Sequence, residues 1–360
     1  MTAADYMDRA LWWAARGRGR TSPNPLVGAV VVSRDGVVVG RGFHQRAGEP
    51  HAEVHALDMA GAQARGATLY CTLEPCCHTG RTGPCVARIV EAGVARVVAA
   101  VEDPNPLVRG RGFEYLRAHA IAVDVGLGAR SATILNQPFF TLMRERRPFV
   151  ILKAATSLDG RIAEAPGRPT LLTSAAANRH AHRVRAEIDA IGVGVGTILA
   201  DDPLLTARGA YRARPLTRII FDRRLRTPAR ARVLSTREAG PVIIMTTAEA
   251  ASRNDVRRSL EALGATIEVP ADESIGAALA WLGEQAVASL LLEGGALLHA
   301  AAWDEGVVDL VRLYVTPHVL GSHGVRLLDG RTFSSARLVD RRVEPLGNDV
   351  LMEGYVHGPR

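Results

Sequence analysis

Short runs of β-branched residues alternate with helical stretches along most of this chain, and that alternation constrains the fold more than any other feature. Two early runs are joined at Asp35-Gly36, a dipeptide typical of a hairpin turn. The sequence predicts strands at residues 27–32, 37–39, 67–73, 94–101, 149–155, 190–195, 217–221, 242–245, 289–292 and 310–315. Helices are predicted at residues 3–16, 51–64, 84–92 and near 296–302. An α/β protein with largely parallel sheets is therefore expected.

The chain is long enough for two domains, each with its own core. It has 360 residues, 47% of them hydrophobic. The stretch 126–148 has weak periodicity and ends in the charged cluster 144–147, just before a new apolar run. We therefore predict domains at residues 1–147 and 148–360. The tail from Thr332 onward gives no assignable pattern.

All four cysteines lie within fifteen residues, at positions 71, 76, 77 and 85. Residues 1–20 carry charges where a signal peptide needs an apolar stretch, and no apolar run is long enough to span a bilayer. We therefore expect a cytoplasmic protein, with no membrane as a partner. A reducing cytoplasm disfavours disulfides, so a metal site is the leading interpretation of the cysteines.

The metal hypothesis rests on one histidine and two cysteines. His51 opens a predicted helix, and Cys76 and Cys85 each follow a proline at a later turn. Three such ligands suit a catalytic zinc ion, which keeps its fourth position for water, and Glu53 is placed to carry protons for that water. The alternative is a structural zinc site or simple buried thiols. Cys77 could compete with Cys76 for the metal.

The second half offers a lysine and two groups of glycines. Lys153 is the only lysine among 44 Lys and Arg residues, so its position either requires a compact ammonium or is an accident of composition. Gly192, Gly194 and Gly196 follow one predicted strand, and Gly294-Gly295 follow another. Neither group is a dinucleotide fingerprint, so they argue only weakly for a bound phosphate.

The motifs become specific when they are taken together. The first half contains T-S-P-N-P-L-V-G-A-V-V-V, H-A-E-V-H-A-L, T-L-E-P-C-C-H-T-G-R-T-G-P-C and E-D-P-N-P. The second contains L-K-A-A-T-S-L-D-G-R-I-A, D-A-I-G-V-G-V-G-T-I-L-A-D-D-P-L-L-T-A-R and L-L-E-G-G-A-L-L. In this order they resemble the bifunctional deaminase-reductases of riboflavin biosynthesis. The resemblance implies a cytidine-deaminase-like α/β/α domain followed by a dihydrofolate-reductase-like α/β domain.

The same resemblance implies two activities on one phosphorylated pyrimidine. A zinc-dependent first domain would deaminate 2,5-diamino-6-(5-phosphoribosylamino)pyrimidin-4-one, and an NADPH-dependent second domain would then reduce its ribosyl group to ribityl. His51, Cys76 and Cys85 match the zinc ligands and Glu53 the catalytic acid-base. The positions that match the substrate pocket of the deaminase are Asn24, His44, His78 and Arg81. The chain departs from the family at Cys77, where serine is usual, and at Gly83, where proline is usual.

In the reductase half, the resemblance assigns residues to cofactor and to substrate. The cofactor-binding positions are Thr156, Leu171, Thr197, Asp201 and Gly295, with Leu171 standing where tryptophan is usual. The substrate-binding positions are Ser174, Arg185, Leu205, Arg208 and Glu293. Lys153 is the candidate catalytic residue, and it shares the handling of charge and protons with Asp201.

Two other functions remain open from the sequence. One is a nucleic-acid or nucleotide deaminase with a non-catalytic second domain, suggested by the net charge of +7. Eight residues separate Cys76 from Cys85, whereas nucleic-acid deaminases usually have two, and no aromatic-basic stripe is present to stack bases. The other is a deaminase with a degenerate second half, against which Lys153, Asp201 and Glu293 argue. We expect a homo-oligomer that acts on a small molecule, without a nucleic-acid partner.

Overall fold

The computed structural model describes residues 1–78 and 83–359. The chain divides into two compact units, Met1–Glu145 and Arg146–Gly358. Strands and helices alternate in both units, which confirms the predicted α/β class. Within the described residues, no helix combines the length and the apolar character needed to cross a membrane.

The first unit begins with a helix and a hairpin and continues with alternating elements. Its helices and strands are α1 (Ala3–Ala15), β1 (Gly28–Val32), β2 (Val38–Phe43), α2 (Ala52–Ala60), β3 (Thr68–Cys71), α3 (Cys85–Glu91), β4 (Arg96–Ala99), α4 (Arg111–Ala118), β5 (Ala122–Val125) and α5 (Ala129–Glu145). The sheet has the order β2-β1-β3-β4-β5. Strand β1 is antiparallel to both neighbours, and β3, β4 and β5 are parallel.

Helices cover both faces of this sheet because successive side chains of a strand point to opposite sides. Ala29 and Val31 of β1 belong to the core that includes α2 and α3. Val30 and Val32 belong to the core that includes α1. The first unit is therefore a three-layer α/β/α domain.

Two glycines of β2 determine how closely α2 approaches the sheet. A Cβ atom at Gly40 would lie 2.1 Å from the carbonyl oxygen of Ala56, and one at Gly42 would lie 2.5 Å from that of Ala52. Both distances are shorter than any van der Waals contact, so neither position accepts a side chain without displacing the helix backbone. Helix α2 thus lies directly on the strand, and its first turn, which follows His51, is fixed in place.

The second unit contains one large sheet and a two-stranded ribbon. Its helices and strands are β6 (Phe149–Thr156), β7 (Arg161–Ala163), α6 (Ala175–Glu187), β8 (Ala190–Gly194), α7 (Val195–Asp201), β9 (Thr217–Phe221), β10 (Val242–Met245), α8 (Ala248–Ala251), α9 (Asn254–Ala262), β11 (Ala265–Glu268), α10 (Ile275–Glu284), β12 (Ser289–Leu292), α11 (Ala296–Asp304), β13 (Leu310–Val315), β14 (Val325–Arg326), β15 (Val339–Leu346) and β16 (Asp349–Tyr355).

The large sheet has the strand order β11-β10-β9-β8-β12-β6-β13-β16-β15. Each pair of neighbouring strands between β11 and β13 in this spatial order is parallel. Strand β16 is antiparallel to both β13 and β15. In parallel strands the carboxyl ends meet at one edge, and ligands of open α/β sheets bind there. Gly194 is the last residue of β8, Glu293 directly follows β12, and Lys153 lies in the second half of β6.

The structure adds elements that the sequence did not reveal. Residues 129–145 form helix α5 although Pro138 lies inside it, and the unassigned tail contains the antiparallel hairpin β15–β16. The predicted helix at 51–64 is shorter, since α2 ends at Ala60 and a 3-10 turn follows at Gly61–Ala64. Each predicted strand is present, with ends displaced by a few residues.

Candidate functional site

His51, Cys76 and Cys85 come together in the first unit. Nδ1 of His51 lies 3.2 Å from Sγ of Cys85 and 3.5 Å from Sγ of Cys76. All three ligand atoms lie within 4.8 Å of one another, and in the described part of the chain they are the one such group of His, Cys, Asp or Glu. His51 immediately precedes α2, and Cys85 is the first residue of α3. Two helix starts therefore position this group.

The chemistry of these side chains suits zinc. The backbone N–H of Cys85 donates to Sγ of Cys76 over 3.3 Å. Hydrogen bonds from the Cys85 thiol and from His51 lower the pKa of Cys76 below its ordinary value, which favours the thiolate. Zinc binds thiolate at about 2.3 Å and imidazole at about 2.0 Å, and a tetrahedral ion with those bonds separates its ligands by distances like those found here. The donors present thus fit a zinc ion.

Glu53 lies beside this group, in the first turn of α2. It is almost completely buried, and its Oε2 has no hydrogen-bond partner in the described structure. Burial raises the pKa of Glu53 to about 7, against the opposing effect of His51. A carboxyl group with such a pKa can both take and return a proton near neutral pH.

Cys77 and Cys71 lie apart from the group of three. Sγ of Cys77 contacts the carbonyl oxygen of Leu107 at 3.7 Å. Cys71 is fully buried in β3, and burial raises its pKa well above the ordinary value. The sequence left open whether Cys76 or Cys77 is the ligand, and the geometry favours Cys76.

A pocket of about 390 Å³ opens onto this group. Three residues predicted to bind substrate, Asn24, His44 and His78, line it. Nδ2 of Asn24 lies 3.1 Å from Nε2 of His44, whose Nδ1 lies 3.3 Å from the carbonyl oxygen of Pro50. Nδ1 of His78 is buried without a partner in the described structure. The fourth predicted residue, Arg81, lies outside the described residues.

Sequence reasoning missed two acidic residues of this pocket, Glu74 and Asp103. Asp103 is 6% exposed, and burial raises its pKa to about 7. Glu74 is a structural clamp, because its carboxylate accepts from the backbone N–H groups of Asp103, Gly110, Gly112 and Phe113 at 2.9 to 3.3 Å. Glu74 lies in the motif T-L-E-P-C-C and Asp103 in the motif E-D-P-N-P. The one signal in the sequence for a role in the pocket was that each carries a carboxylate within a motif already assigned to the deaminase.

In the second unit, Glu293 connects the predicted arginine and lysine. Arg185 of α6 binds its carboxylate with both Nε and Nη2, at 2.7 and 2.6 Å, and Nζ of Lys153 lies 3.4 Å from Oε2. The two cations hold the pKa of Glu293 near 2 in spite of its burial. Burial lowers the pKa of Lys153. The contact with Glu293 opposes this effect only in part, because it is longer than the contacts that Glu293 makes with Arg185.

The segment that contains Leu205 and Arg208 adjoins this ion cluster. Nη1 of Arg185 donates to the carbonyl oxygen of Thr206 over 3.1 Å. The backbone N–H of Arg208 donates to Nδ1 of His182 over 3.1 Å. Leu205 is buried, while the side chain of Arg208 is exposed. Arg185 therefore connects Glu293 with the segment that contains Leu205 and Arg208, so that these predicted substrate-binding residues of the second unit lie near one another.

The predicted cofactor residues are more scattered. Gly295 immediately precedes α11, and a Cβ atom placed on it would lie 3.4 Å from Oγ1 of Thr197, so these two are neighbours. Thr156 is buried at the end of β6, and Asp201 is exposed at the end of α7. Leu171 is 87% exposed. Across the described ranges, no hydrogen bond joins Leu171 or Asp201 to the others.

Ser174 takes a structural position at the start of α6. Its hydroxyl accepts from the N–H of Ala177 over 3.3 Å, and its own N–H donates to Asp349 over 2.7 Å. The hydroxyl thus caps the helix that carries Arg185. If Ser174 also binds substrate, as predicted, its hydroxyl must do so while it caps α6.

A second pocket, of about 530 Å³, lies at the carboxyl ends of β8, β9 and β10. Gly194 and Gly196 line one wall, and Arg223, Arg224 and Arg226 line another. Backbone amides at a strand-to-helix junction and guanidinium groups both suit phosphate. The arginines were not predicted, although they follow strand β9 directly in the sequence.

Each half of the chain matches a known protein family. Residues 1–101 match the cytidine and deoxycytidylate deaminase zinc-binding region, and residues 148–352 match the RibD C-terminal domain. The riboflavin biosynthesis protein RibD of Aquifex aeolicus is 40% identical over 354 residues, which cover 97% of each chain.

Solved structures give the same relationship. RibD of Acinetobacter baumannii, in its form 1, superposes with a TM-score of 0.87 at 37% identity and covers 98% of both chains. A diaminohydroxyphosphoribosylaminopyrimidine deaminase/5-amino-6-(5-phosphoribosylamino)uracil reductase from Thermotoga maritima superposes with a TM-score of 0.85 at 34% identity, again over 98% of both chains.

Proposed function

Because this chain belongs to the RibD family, we propose that residues 1–147 deaminate 2,5-diamino-6-(5-phosphoribosylamino)pyrimidin-4-one and residues 148–360 reduce the product. The protein is a bifunctional enzyme of riboflavin biosynthesis, with a zinc-binding deaminase domain of the cytidine-deaminase type and an NADPH-dependent reductase domain of the dihydrofolate-reductase type. A nucleic-acid deaminase with an inactive second domain is not favoured, since the relationship extends over nearly the whole chain.

The observation that supports deamination most strongly is that His51, Cys76 and Glu53 line one pocket, with Cys85 completing the donor group behind them. His51, Cys76 and Cys85 would hold the zinc ion, which makes water acidic enough to supply hydroxide near neutral pH. Glu53 would take a proton from the attacking water and pass it to the ring nitrogen as the new C–O bond forms at the amine-bearing ring carbon. It would then carry the proton of the new hydroxyl group to the amine, which leaves as ammonia when the C–N bond breaks.

The remaining wall of the pocket would hold the pyrimidine and its phosphate. Asn24 and His44 offer an amide and a neutral imidazole, because burial lowers the pKa of His44. Asp103 can accept or donate a hydrogen bond at the edge of the ring. His78 and Arg81 follow the zinc ligand Cys76 closely in the sequence, and we assign them to the phosphate side.

For the reductase, we assign Lys153 to the sugar. When bound, NADPH would supply the hydride for the anomeric carbon of the opened, imine form of the ribosyl group. The lowered pKa of Lys153 makes its ammonium a better proton donor to the sugar than an exposed lysine would be. Glu293, which is itself clamped by Arg185, holds that ammonium in place, and Leu205 and Arg208 border the sugar. Asp201 is a second candidate for proton handling.

The cofactor would lie along the glycine-bordered ends of the strands. We assign Thr156, Thr197 and Gly295 to the nicotinamide half, together with Leu171 where the family usually has tryptophan. Of the arginines that line the second pocket, Arg223 is paired with Glu273. We therefore assign the phosphates of NADPH to Arg224 and Arg226. An exposed Leu171 packs a planar ring less well than tryptophan does, so cofactor affinity is expected to depend more on these arginines.

One experiment tests both activities. The purified protein is incubated with the diamino substrate, with and without NADPH, and the products are identified by mass. We expect the deaminated ribosyl compound without NADPH and the ribityl compound with it. An unchanged substrate in both incubations would refute the proposal. Light scattering on the same preparation tests our further expectation of a homo-oligomer.

A further inference from the structure

A tyrosine with no assigned role lies next to Lys153. Strand β13 pairs in parallel with β6, so that Arg312 is opposite Lys153 and Tyr314 is opposite Ala155. Residues two apart on a strand share a face, which brings Tyr314 and Lys153 to the same side of the sheet. Nζ of Lys153 lies 5.4 Å from the centre of the Tyr314 ring. Tyr314 is completely buried.

The ring of Tyr314 is itself fixed at its far end. Its Oη lies 2.9 Å from Nδ1 of His180, on the helix that also carries Arg185. Burial lowers the pKa of His180, so the imidazole is uncharged near neutral pH. A ring that is buried and hydrogen-bonded at its tip has little rotational freedom. Its face is therefore a rigid surface for the ammonium.

Glu293 alone does not hold the ammonium of Lys153 firmly, because its carboxylate is shared with Arg185. Arg185 occupies both oxygens of the carboxylate at 2.6 to 2.7 Å, whereas Lys153 reaches only one of them, at 3.4 Å. An aromatic face attracts a cation, and the attraction is stronger where water is excluded. The side chain of Lys153 is only 14% exposed.

We propose that Tyr314 is a positioning residue for Lys153, holding the ammonium over its ring face and in its protonated form. This inference rests on the role in reduction proposed above for Lys153. The charged and titratable groups that surround Lys153 and Tyr314 come from five segments, and they are Glu293 after β12, His180 and Arg185 on α6, His299 on α11, Arg312 on β13 and Glu353 on β16.

These surroundings leave Lys153 as the group that titrates at alkaline pH. Burial lowers the pKa of His299 to about 4, so that ring is neutral. Burial also raises the pKa of Tyr314 beyond the working range. Arg312 is paired with Glu353. Removing the ring of Tyr314 should therefore change the titration of Lys153 without adding another titrating group.

The chain offers an unusually direct test, since Lys153 is its only lysine. Protein without an added tag, labelled with ¹³Cε- and ¹⁵Nζ-lysine, gives one side-chain NMR signal, and its pH titration reports the pKa of Lys153. We expect Tyr314→Leu to lower that pKa by about one unit and to abolish the ring-current shift of the ε-methylene. Tyr314→Phe, which keeps the ring, should leave both unchanged. Tyr314→Met, whose unbranched side chain is longer and more adaptable than that of leucine, is measured beside them so that the test does not depend on one variant folding.

Kinetics on the same proteins separate this inference from the role of Lys153. Tyr314→Leu and Tyr314→Met should lower kcat for reduction about 10-fold, because the ammonium loses the surface that fixes its position and this outweighs its greater acidity. The KM for NADPH should change little, and deamination should be normal. An unchanged lysine signal in both variants would overturn the inference, as would a Tyr314→Phe protein that shifts equally. Lys153→Met tests the proposed function separately: reduction at the parental rate there would refute the role of Lys153, whatever the NMR result.

Discussion

Glu293→Gln preserves the size of a buried side chain but removes the charge that holds Arg185 and Lys153. The pKa of Glu293 is about 2 in the folded protein, against an ordinary value of 4.5. That difference corresponds to ~3 kcal/mol of folding free energy. Removing one partner of a buried ion pair typically costs about 3 to 5 kcal/mol, because the remaining charge stays buried without compensation. Both considerations predict a loss of ~3 kcal/mol near pH 7.

The effect has a defined pH dependence. Since folding lowers the pKa of Glu293, its contribution is complete above about pH 4.5 and is lost as the pH falls towards about 2. The difference between the parent and Glu293→Gln should therefore be constant from pH 5 to 7 and should shrink in acid. A glutamine has no charge to lose, so this part of the acid sensitivity disappears in the variant.

Hydrogen exchange read by mass spectrometry measures the second unit by itself. Peptides from β6 and β12 should lose protection by about 100-fold in Glu293→Gln at pH 7. Glu249→Gln is the matched control, because Glu249 is exposed on α8 of the same unit, and it should change stability by less than about 0.5 kcal/mol. Equal protection in the two variants would show that the ion cluster contributes nothing to stability.

Three further predictions concern the two active sites. The protein should bind about one zinc per chain, lost in Cys76→Ser and Cys85→Ser but kept in Cys77→Ser; metal analysis decides, and the reverse pattern would make Cys77 the ligand. Glu53→Gln should keep zinc yet lose deamination by ~100-fold or more, while reduction of pre-deaminated substrate is unaffected; loss of both activities would contradict independent sites. Lys153→Arg should slow NADPH oxidation ~10-fold or more while the deaminated intermediate accumulates; a parental rate would mean that its retention as lysine is accidental.

The sequence allowed prediction of elements that are buried on one or both faces. Strands such as Ser289–Leu292 and Leu310–Val315 are dense apolar runs, and the hairpin at Asp35-Gly36 carries its own turn chemistry. Helix α5 was missed because Pro138 interrupts its pattern, although its buried face and Asn136, which bonds both backbone groups of Leu26, hold it in place. The hairpin β15–β16 was missed because β15 is a mostly exposed edge strand rich in charge.

The candidate sites divide in the same way. His51, Glu53, Cys76 and Cys85 could be predicted because their spacing in the sequence carries the chemistry. Tyr314 could not, since its meaning depends on the register between β6 and β13, which no local pattern reveals. Arg223 and its neighbours were overlooked for a related reason: in a chain rich in arginine, only position relative to a pocket distinguishes a functional guanidinium from a solvated one.

The contact between α2 and β2 limits how this enzyme can vary. Because Gly40 and Gly42 leave no side-chain layer between strand and helix, the distance between them is a property of two backbones and cannot be adjusted by repacking. The helix start that carries His51, the proposed zinc ligand, and Glu53, the proposed proton carrier, inherits that rigidity. Attempts to redirect the deaminase toward other heterocycles should therefore succeed through changes in the loops opposite, around Asn24 and Asp103, and fail when they target the helix or the strand beneath it.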